Sequence, residues 1–447
     1  MMGRCVAACA GLVAAVAGVL VAAGPPDGAV VCDMRTARGP VVLPWRSLTP
    51  EAAYHGQWLV AGDLDGDGAA EIVTARNKRQ CVTAAVACRL DGTVLWRWGR
   101  ASAGGQGLGY DVPLQIYDLD GDGKAEVYLS IEGFLLVLDG ASGAERRRLP
   151  LPKGLTVADC ITFVDLRGRG RATDIIVKDR YRCLWAYTGD WKPLWRWRSK
   201  TYRTCHHPTP VDIDGDGKDE IIAGYTMLND DGKEMWALEP GKVKLASGHI
   251  DCSEVVKLAS RPADTRLLFT YCGANCIAMA DGAGRALWQV RGHHFESADF
   301  GPVRKDTPGD EIVVDIDHLP FGSSRVWLLD AAGRLLVDFR CDYGRHHRLI
   351  DWDGDGLLEI LVGNTKKLLD GRGRCVAQFG PEGAFAAAAG PRGGNDPGPF
   401  AAVGDLDGDG RPEVILHSTG TVMIYRSAKA AKDPRRPVGT GVNFTLY

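Results

Sequence analysis

The sequence predicts an all-β fold, a β-propeller of four-stranded blades. Three observations carry this. An acidic loop motif recurs along the chain, a polar turn followed by an apolar run recurs in step with it, and no long helical pattern interrupts either.

The acidic motif is clearest in "DIDGDGKDEI", where Asp212, Asp214 and Asp216 alternate, Gly217 follows and Glu220 comes after it. Carboxylates at alternate loop positions with a glycine for the sharp turn make an oxygen shell suited to Ca²⁺, and so many carboxylates at close range repel one another without a cation. An apolar "EIIAGY" follows at once, so the loop joins two strands rather than two helices. Four further copies are intact: Asp63, Asp65, Asp67 and Glu71; Asp118, Asp120, Asp122 and Glu126; Asp351, Asp353, Asp355 and Glu359; Asp405, Asp407, Asp409 and Glu413. A plain Asp-Gly hairpin accounts for the glycines but not for the final acid in every copy. The expected cofactor is therefore Ca²⁺ on these five loops. Three more copies are worn. "DLRGRGRATDI" carries Arg167 and Arg169 where carboxylates would sit, so internal charge is expected there in place of a cation; "DFGPVRKDTPGDEI" from Asp299 has a longer loop; and the stretch from Ser253 to Phe269 keeps only the strand rhythm.

The second marker includes "LDGTVLWRW", "YTGDWKPLWRW", "NDDGKEMW", "ADGAGRALW" and, last, "STGTVMIY". Each unit then reads strand A, acidic loop, strand B, strand C, tight turn, strand D. Eight units give eight blades; seven result if the Ser253 unit is not a separate blade. Trp96, Trp195, Trp236 and Trp288, just after the turns, read as packing between blades.

Residues 1–24 read as a signal peptide, a basic Arg4 followed by an apolar run, with an uncleaved anchor as the alternative. Residues 25–50 are an N-terminal segment, and 51–447 a single propeller domain. The expected location is secreted or periplasmic, and the expected state is a monomer with no other membrane segment. Of 13 cysteines, Cys81/Cys88 and Cys272/Cys276 are the plausible local pairs. Nucleic acid is excluded as a partner by the absence of a basic stripe. Five bound Ca²⁺ would move the formal net charge from −3 to about +7, which suits a polyanion.

Histidines are placed unevenly. His207, His294 and His346 each lie five residues before the first acid of an acidic loop, and His249 opens the fifth unit's strand A. In a propeller, the entry to strand A and the B–C loop share one face, and the A–B loops share the other. The histidines and acidic loops therefore form two sites at opposite ends of strand A. The B–C loops add Arg76, Lys178, Arg180, Tyr181, Tyr225, His318 and His417 to the histidine face. His318 and His417 read as structural, and the paired histidines also suit a transition metal.

The acidic units resemble the FG-GAP/VCBS class of calcium-bearing propeller repeats. "IIVKDRYRCLWAY", "CHHPTPVDIDGDGKDEIIAGYTMLNDDGKEMW" and "GHIDCSEV" resemble the core of rhamnogalacturonan lyases of polysaccharide lyase family eleven. The resemblance implies an eight-bladed, calcium-binding propeller that cleaves a uronic-acid-containing polysaccharide by β-elimination. Such cleavage needs the carboxylate neutralised and a base of suitable pKa. Arg180 and Arg345 are expected to hold the carboxylate and His207 or His249 to act as base. Tyr181 is expected to protonate the leaving oxygen or to act as base itself. Lys178, His294, His346, Tyr225 and Arg76 are expected to bind substrate. The rival reading is a non-catalytic, lectin-like or protein-binding module using the same face for an acidic glycan.

Overall fold

The computed structural model describes residues 29–107, 111, 113–241, 248–317, 324–342, 347–385 and 398–432. The leader, His318, Arg345 and His346 lie outside them.

Burial falls off along each unit. In the first unit strand A, Trp58–Gly62, is buried throughout. In the third, strand B (Asp174–Lys178) is likewise buried throughout. Strand D is largely open to solvent, as in Glu145–Pro150. This gradient makes strand A the inner strand of each antiparallel sheet and strand D the outer one. The sheets number eight, so the Ser253 unit is a blade of its own. It comprises His249–Lys257, Arg266–Cys272, Cys276–Ala280 and Ala286–Arg291.

The core is a ring of layers between blades, not a single centre. Leu114, Val127 and Leu136 of the second blade, for example, meet Val60, Val73 and Trp96 of the first. Similar buried layers join each later pair, and the last one closes the ring, with Ala402, Ile415 and Ile424 against Leu59 and Ile72. Strand D reaches across these junctions. Trp96 Nε1 donates to Gly140 O in the next blade's turn at 2.6 Å, and Trp195, Trp236 and Trp288 do the same to Asp230, Gly282 and Ala331. The turn must be thin to receive the indole. A Cβ on Gly143 would lie 2.6 Å from the Trp96 ring, and one on Gly284 2.5 Å from Trp236. In the second blade Arg147 takes the place of the tryptophan and donates to Gly189 O at 2.6 Å.

The closing blade departs from expectation. "STGTVMIY" is not its C–D turn: Ser418–Gly420 connects strand B, Glu413–Ser418, to strand C, Thr421–Arg426. Its fourth strand is Arg46–Leu48, from the N-terminal segment, pairing antiparallel with Thr421–Arg426. The same segment adds Val30–Asp33 and Val41–Val42 as parallel outer strands to the sixth and seventh blades. Residues from both ends of the described chain thus lock the ring, which a reading unit by unit along the chain misses.

All eleven described cysteines are free thiols. Cys81 and Cys88 stand at opposite ends of one strand, roughly 20 Å apart at the rise of extended chain and far beyond disulfide reach. Among the described residues, no helix is long and apolar enough to cross a membrane.

Trp96→Ala is expected to lower unfolding stability by ~3–5 kcal/mol in chemical denaturation, because it empties an inter-blade layer. Leu43→Ala, at a side chain 66% exposed, should change it by less than about 0.5 kcal/mol.

Candidate functional site

The A–B loops share one construction. The final acid opens strand B and is buried, and its Oε2 accepts the backbone N–H of the loop's second residue. Glu71 accepts from Leu64, Glu220 from Ile213, Glu359 from Trp352 and Glu413 from Leu406, at 2.8–3.0 Å. The first aspartate gathers the glycine amides: Asp63 accepts from Gly66 at 2.7 Å and Gly68 at 3.0 Å. Carboxylate oxygens of Asp63, Asp65 and Glu71 therefore lie within 4.8 Å of one another, as do those of Asp118, Asp120 and Asp122. Burial and then the loop aspartates push Glu71 and Glu220 up to about 7, and Glu359 to about 8. Such a donor set fits a hard divalent cation.

Arginines answer part of this charge. Arg89 pairs with Asp65, Arg146 with Glu126 and Arg426 with Asp407. In the worn third loop Arg167 binds the fully buried Asp174 at 2.8 Å, and Asp165 still gathers the amides of Arg169 and Gly170. The guanidinium stands where the other loops present an aspartate.

The opposite ends of the A strands carry a connected set of ionisable groups. Asp159 precedes strand A of the third blade, Cys160–Val164, and Lys178 ends its strand B. Lys178 is fully buried and donates to Asp159 at 2.9 Å. Arg180 donates to the other Asp159 oxygen at 3.2 Å and to the Tyr181 hydroxyl at 3.3 Å. Tyr181 follows at a φ of +142°, a strained backbone for a residue with a Cβ. His206, on the fourth blade's strand A (Thr204–Val211), stands 3.1 Å from the same hydroxyl through Nε2. Its Nδ1 meets Asp111 at 2.7 Å. On the fifth blade His249 Nε2 meets Asp251 Oδ1 at 2.9 Å, and the His249 ring packs 4.7 Å from Tyr181.

Burial opposes charge on His206, but Asp111 and Asp251 outweigh it and lift the imidazole to about 9. Both ring nitrogens then carry protons, one for Asp111 and one for Tyr181. Burial holds the Tyr181 phenol well above its usual range, and Arg180 and Lys178 offset only part of that. Burial likewise opposes the Lys178 charge, yet Asp159 and Asp111 hold the ammonium well above its usual range.

The structure thus brings together Arg180, Tyr181, His249 and Lys178 among the residues singled out from sequence, with Lys178 beneath the site rather than open to a ligand. His206, not His207, reaches Tyr181. The His207 Nδ1 turns to its neighbour's carbonyl, Pro208 O, at 3.2 Å. The strand has a register shift between Thr204 and Thr209, which defeats simple alternation in the His-His pair. Tyr225 is buried with its hydroxyl on Cys272 O, and Arg76 clamps the carbonyls of Ala52, Ala103 and Gly104, so neither is presented to the mouth. His294 lies one blade further round, beside Glu296 and Cys272. Asp111, Asp159 and Asp251 were missed. Asp251 was legible, two residues after His249 and so on the same side of a strand; Asp111 and Asp159 carry no motif.

Comparison with known proteins agrees with the fold. Residues 351–416 match the FG-GAP-like repeat family. The chain is 29% identical to the rhamnogalacturonan endolyase YesW of Bacillus subtilis (strain 168), over 44% of this chain and 42% of that protein. It is 24% identical to the rhamnogalacturonan exolyase YesX of the same organism, over 86% of this chain and 74% of that one. The aligned stretch thus spans less than half the length of the endolyase. Among solved structures, a Bacillus licheniformis rhamnogalacturonan lyase of family PL11 superposes with a TM-score of 0.62 at 21% identity, covering 86% of this chain and 74% of that one. The Vibrio cholerae biofilm matrix protein Bap1 superposes at 0.55 and 14% identity, covering 90% and 92%. The fold is an eight-bladed propeller with FG-GAP-like repeats. Within that class the chain resembles the rhamnogalacturonan lyases of polysaccharide lyase family eleven.

Asp159→Asn removes the countercharge of a fully buried ammonium. It is expected to cost ~3–5 kcal/mol of unfolding stability, whereas Asp231→Asn, whose partner Lys233 is 75% exposed, should cost less than about 0.5 kcal/mol.

Proposed function

We propose that the protein is a polysaccharide lyase that cleaves a uronic-acid-containing glycan of the rhamnogalacturonan type by β-elimination. The observation that carries this is the convergence of two cationic groups, Arg180 and His206, on the Tyr181 hydroxyl at 3.3 and 3.1 Å. Donors of that kind offset part of the burial that keeps the phenol neutral and ready the phenolate that acts as base. Tyr181 Oη takes the proton from C5 of the uronate. The electron pair left at C5 forms the C4–C5 double bond and expels the 4-oxygen, which takes its proton from water on the opposite face of the ring, while Tyr181 releases its own to solvent. Arg180 is about one-third exposed and faces the uronate carboxylate, neutralising the charge that develops on it. His206, almost wholly buried, positions and polarises Tyr181 and does not itself meet substrate. His249 and Asp251 wall the other side of the phenol.

The five acidic loops are proposed to hold Ca²⁺ on Asp63, Asp118, Asp212, Asp351 and Asp405 and the acids that follow each. There the ion supplies positive charge that fixes each loop to strand B. A glycan polymer is met outside the cytoplasm, so the reading includes a secreted or periplasmic protein; the apolar leader of residues 1–24 supports it.

Ultraviolet absorbance of unsaturated uronate tests the reading, on a panel of acidic polysaccharides that includes rhamnogalacturonan. Tyr181→Phe should lower kcat by about 10²-fold or more with binding retained. Full activity in that variant overturns the assignment, and binding without any absorbance rise favours the lectin-like alternative. Because His206 must stay protonated, kcat/KM should fall as pH rises through about 9, and His206→Gln should abolish that limb. Chelator-treated protein should melt at a lower temperature than protein in Ca²⁺, and added Ca²⁺ should restore it.

A further inference from the structure

Independently of the lyase reading, we propose a second metal site, for a borderline-soft divalent ion of the zinc class, on Asp251, Cys272 and His294 at the same mouth. Three elements deliver the ligands. Asp251 lies on the fifth blade's strand A, Cys272 ends its strand B, and His294 directly precedes the sixth blade's strand A, Phe295–Gly301. One ligand atom from each lies within 4.8 Å of the others, and Cys272 Sγ stands 3.9 Å from His294 Nε2. Sulfur and nitrogen ligands on one tetrahedral zinc lie a little closer than this, so a small contraction completes the geometry.

An independent observation points the same way. Asp251 is 2% exposed, and its two oxygens are treated differently. Oδ1 faces His249 and His206, while Oδ2 is buried with no hydrogen-bond partner. A buried carboxylate oxygen left so is costly unless a cation meets it. Glu296 Oε1, 3.3 Å from the same His294 nitrogen, is the carboxylate placed to complete the ligand set. Asp317 gathers with His294 and Glu296 as an outer partner. A thiolate in the set selects against Ca²⁺ and Mg²⁺, which take oxygen. The molecule then sorts metals by face: all-oxygen loops at one end of the A strands and a sulfur-nitrogen-carboxylate site at the other.

The test uses the full chain, stripped with chelator and returned to excess Ca²⁺ so that oxygen sites are filled. Titration with Co²⁺ should raise a near-ultraviolet thiolate-to-cobalt charge-transfer band and visible tetrahedral bands, both displaced by Zn²⁺. Cys272→Ser should abolish the near-ultraviolet band and weaken Zn²⁺ binding by about ten-fold or more, while Cys341→Ser, at a buried thiol away from this site, should keep the band. No thiolate band in the unaltered protein, or a band that survives Cys272→Ser, overturns the proposal. The spectral readout needs no turnover, so a protein inactive on every polymer still reports on this site.

Discussion

The ring depends on how each blade is fastened to the next. At four junctions an indole on strand D donates to a carbonyl in the next blade's turn and rests on a glycine too small to push it away. The bond satisfies the one polar atom of a large apolar ring and so lets that ring be buried. The turn carbonyl gains a partner at the same time. In the second blade, where the tryptophan is replaced, Arg147 makes the same bond to the same kind of turn. From the first to the fifth blade the hydrogen bond, more than the aromatic surface, is the feature kept. With blade-to-blade spacing set this way, the ends of all the A strands converge on a common mouth.

That convergence explains the charge distribution. Side chains at the strand A entries and strand B ends of the second to sixth blades face one another across a short distance. Asp111, Asp159 and Asp251 are buried there with Lys178 and His206, and Arg180 lies half-buried beside them. Each charge is held by more than one partner, which is the condition for keeping ions out of water. The result is a pre-organised field aimed at one phenol, costly to fold and suited to charge that appears only during a reaction.

The opposite face meets the same electrostatic difficulty by different means. Six loops tie a buried glutamate to a backbone amide, the sixth being Glu311 with Val303. Three of the intact loops draw an arginine toward their acids, and the worn loop builds its arginine in. Loop geometry is therefore maintained by amide contacts common to all, while the compensating charge is open to variation.

The repeat, the strand-loop-strand grammar, the number of blades and the two-faced arrangement were all legible in the sequence. They rest on local rules: alternating acids need a glycine turn, and a turn between two apolar runs makes a hairpin. The five acidic loops, Arg167 as an internal charge and the tryptophans at the junctions follow from the same local logic. What only the tertiary structure decided is long-range. Arg46–Leu48 closes the last blade because a ring must be joined, and no local pattern marks the joining strand. His206 rather than His207 faces Tyr181 because a register shift changes the phase of the strand. Asp111 meets His206 across 95 residues of chain. Such contacts are set by how blades stack, and a residue's neighbours in sequence carry no information about them.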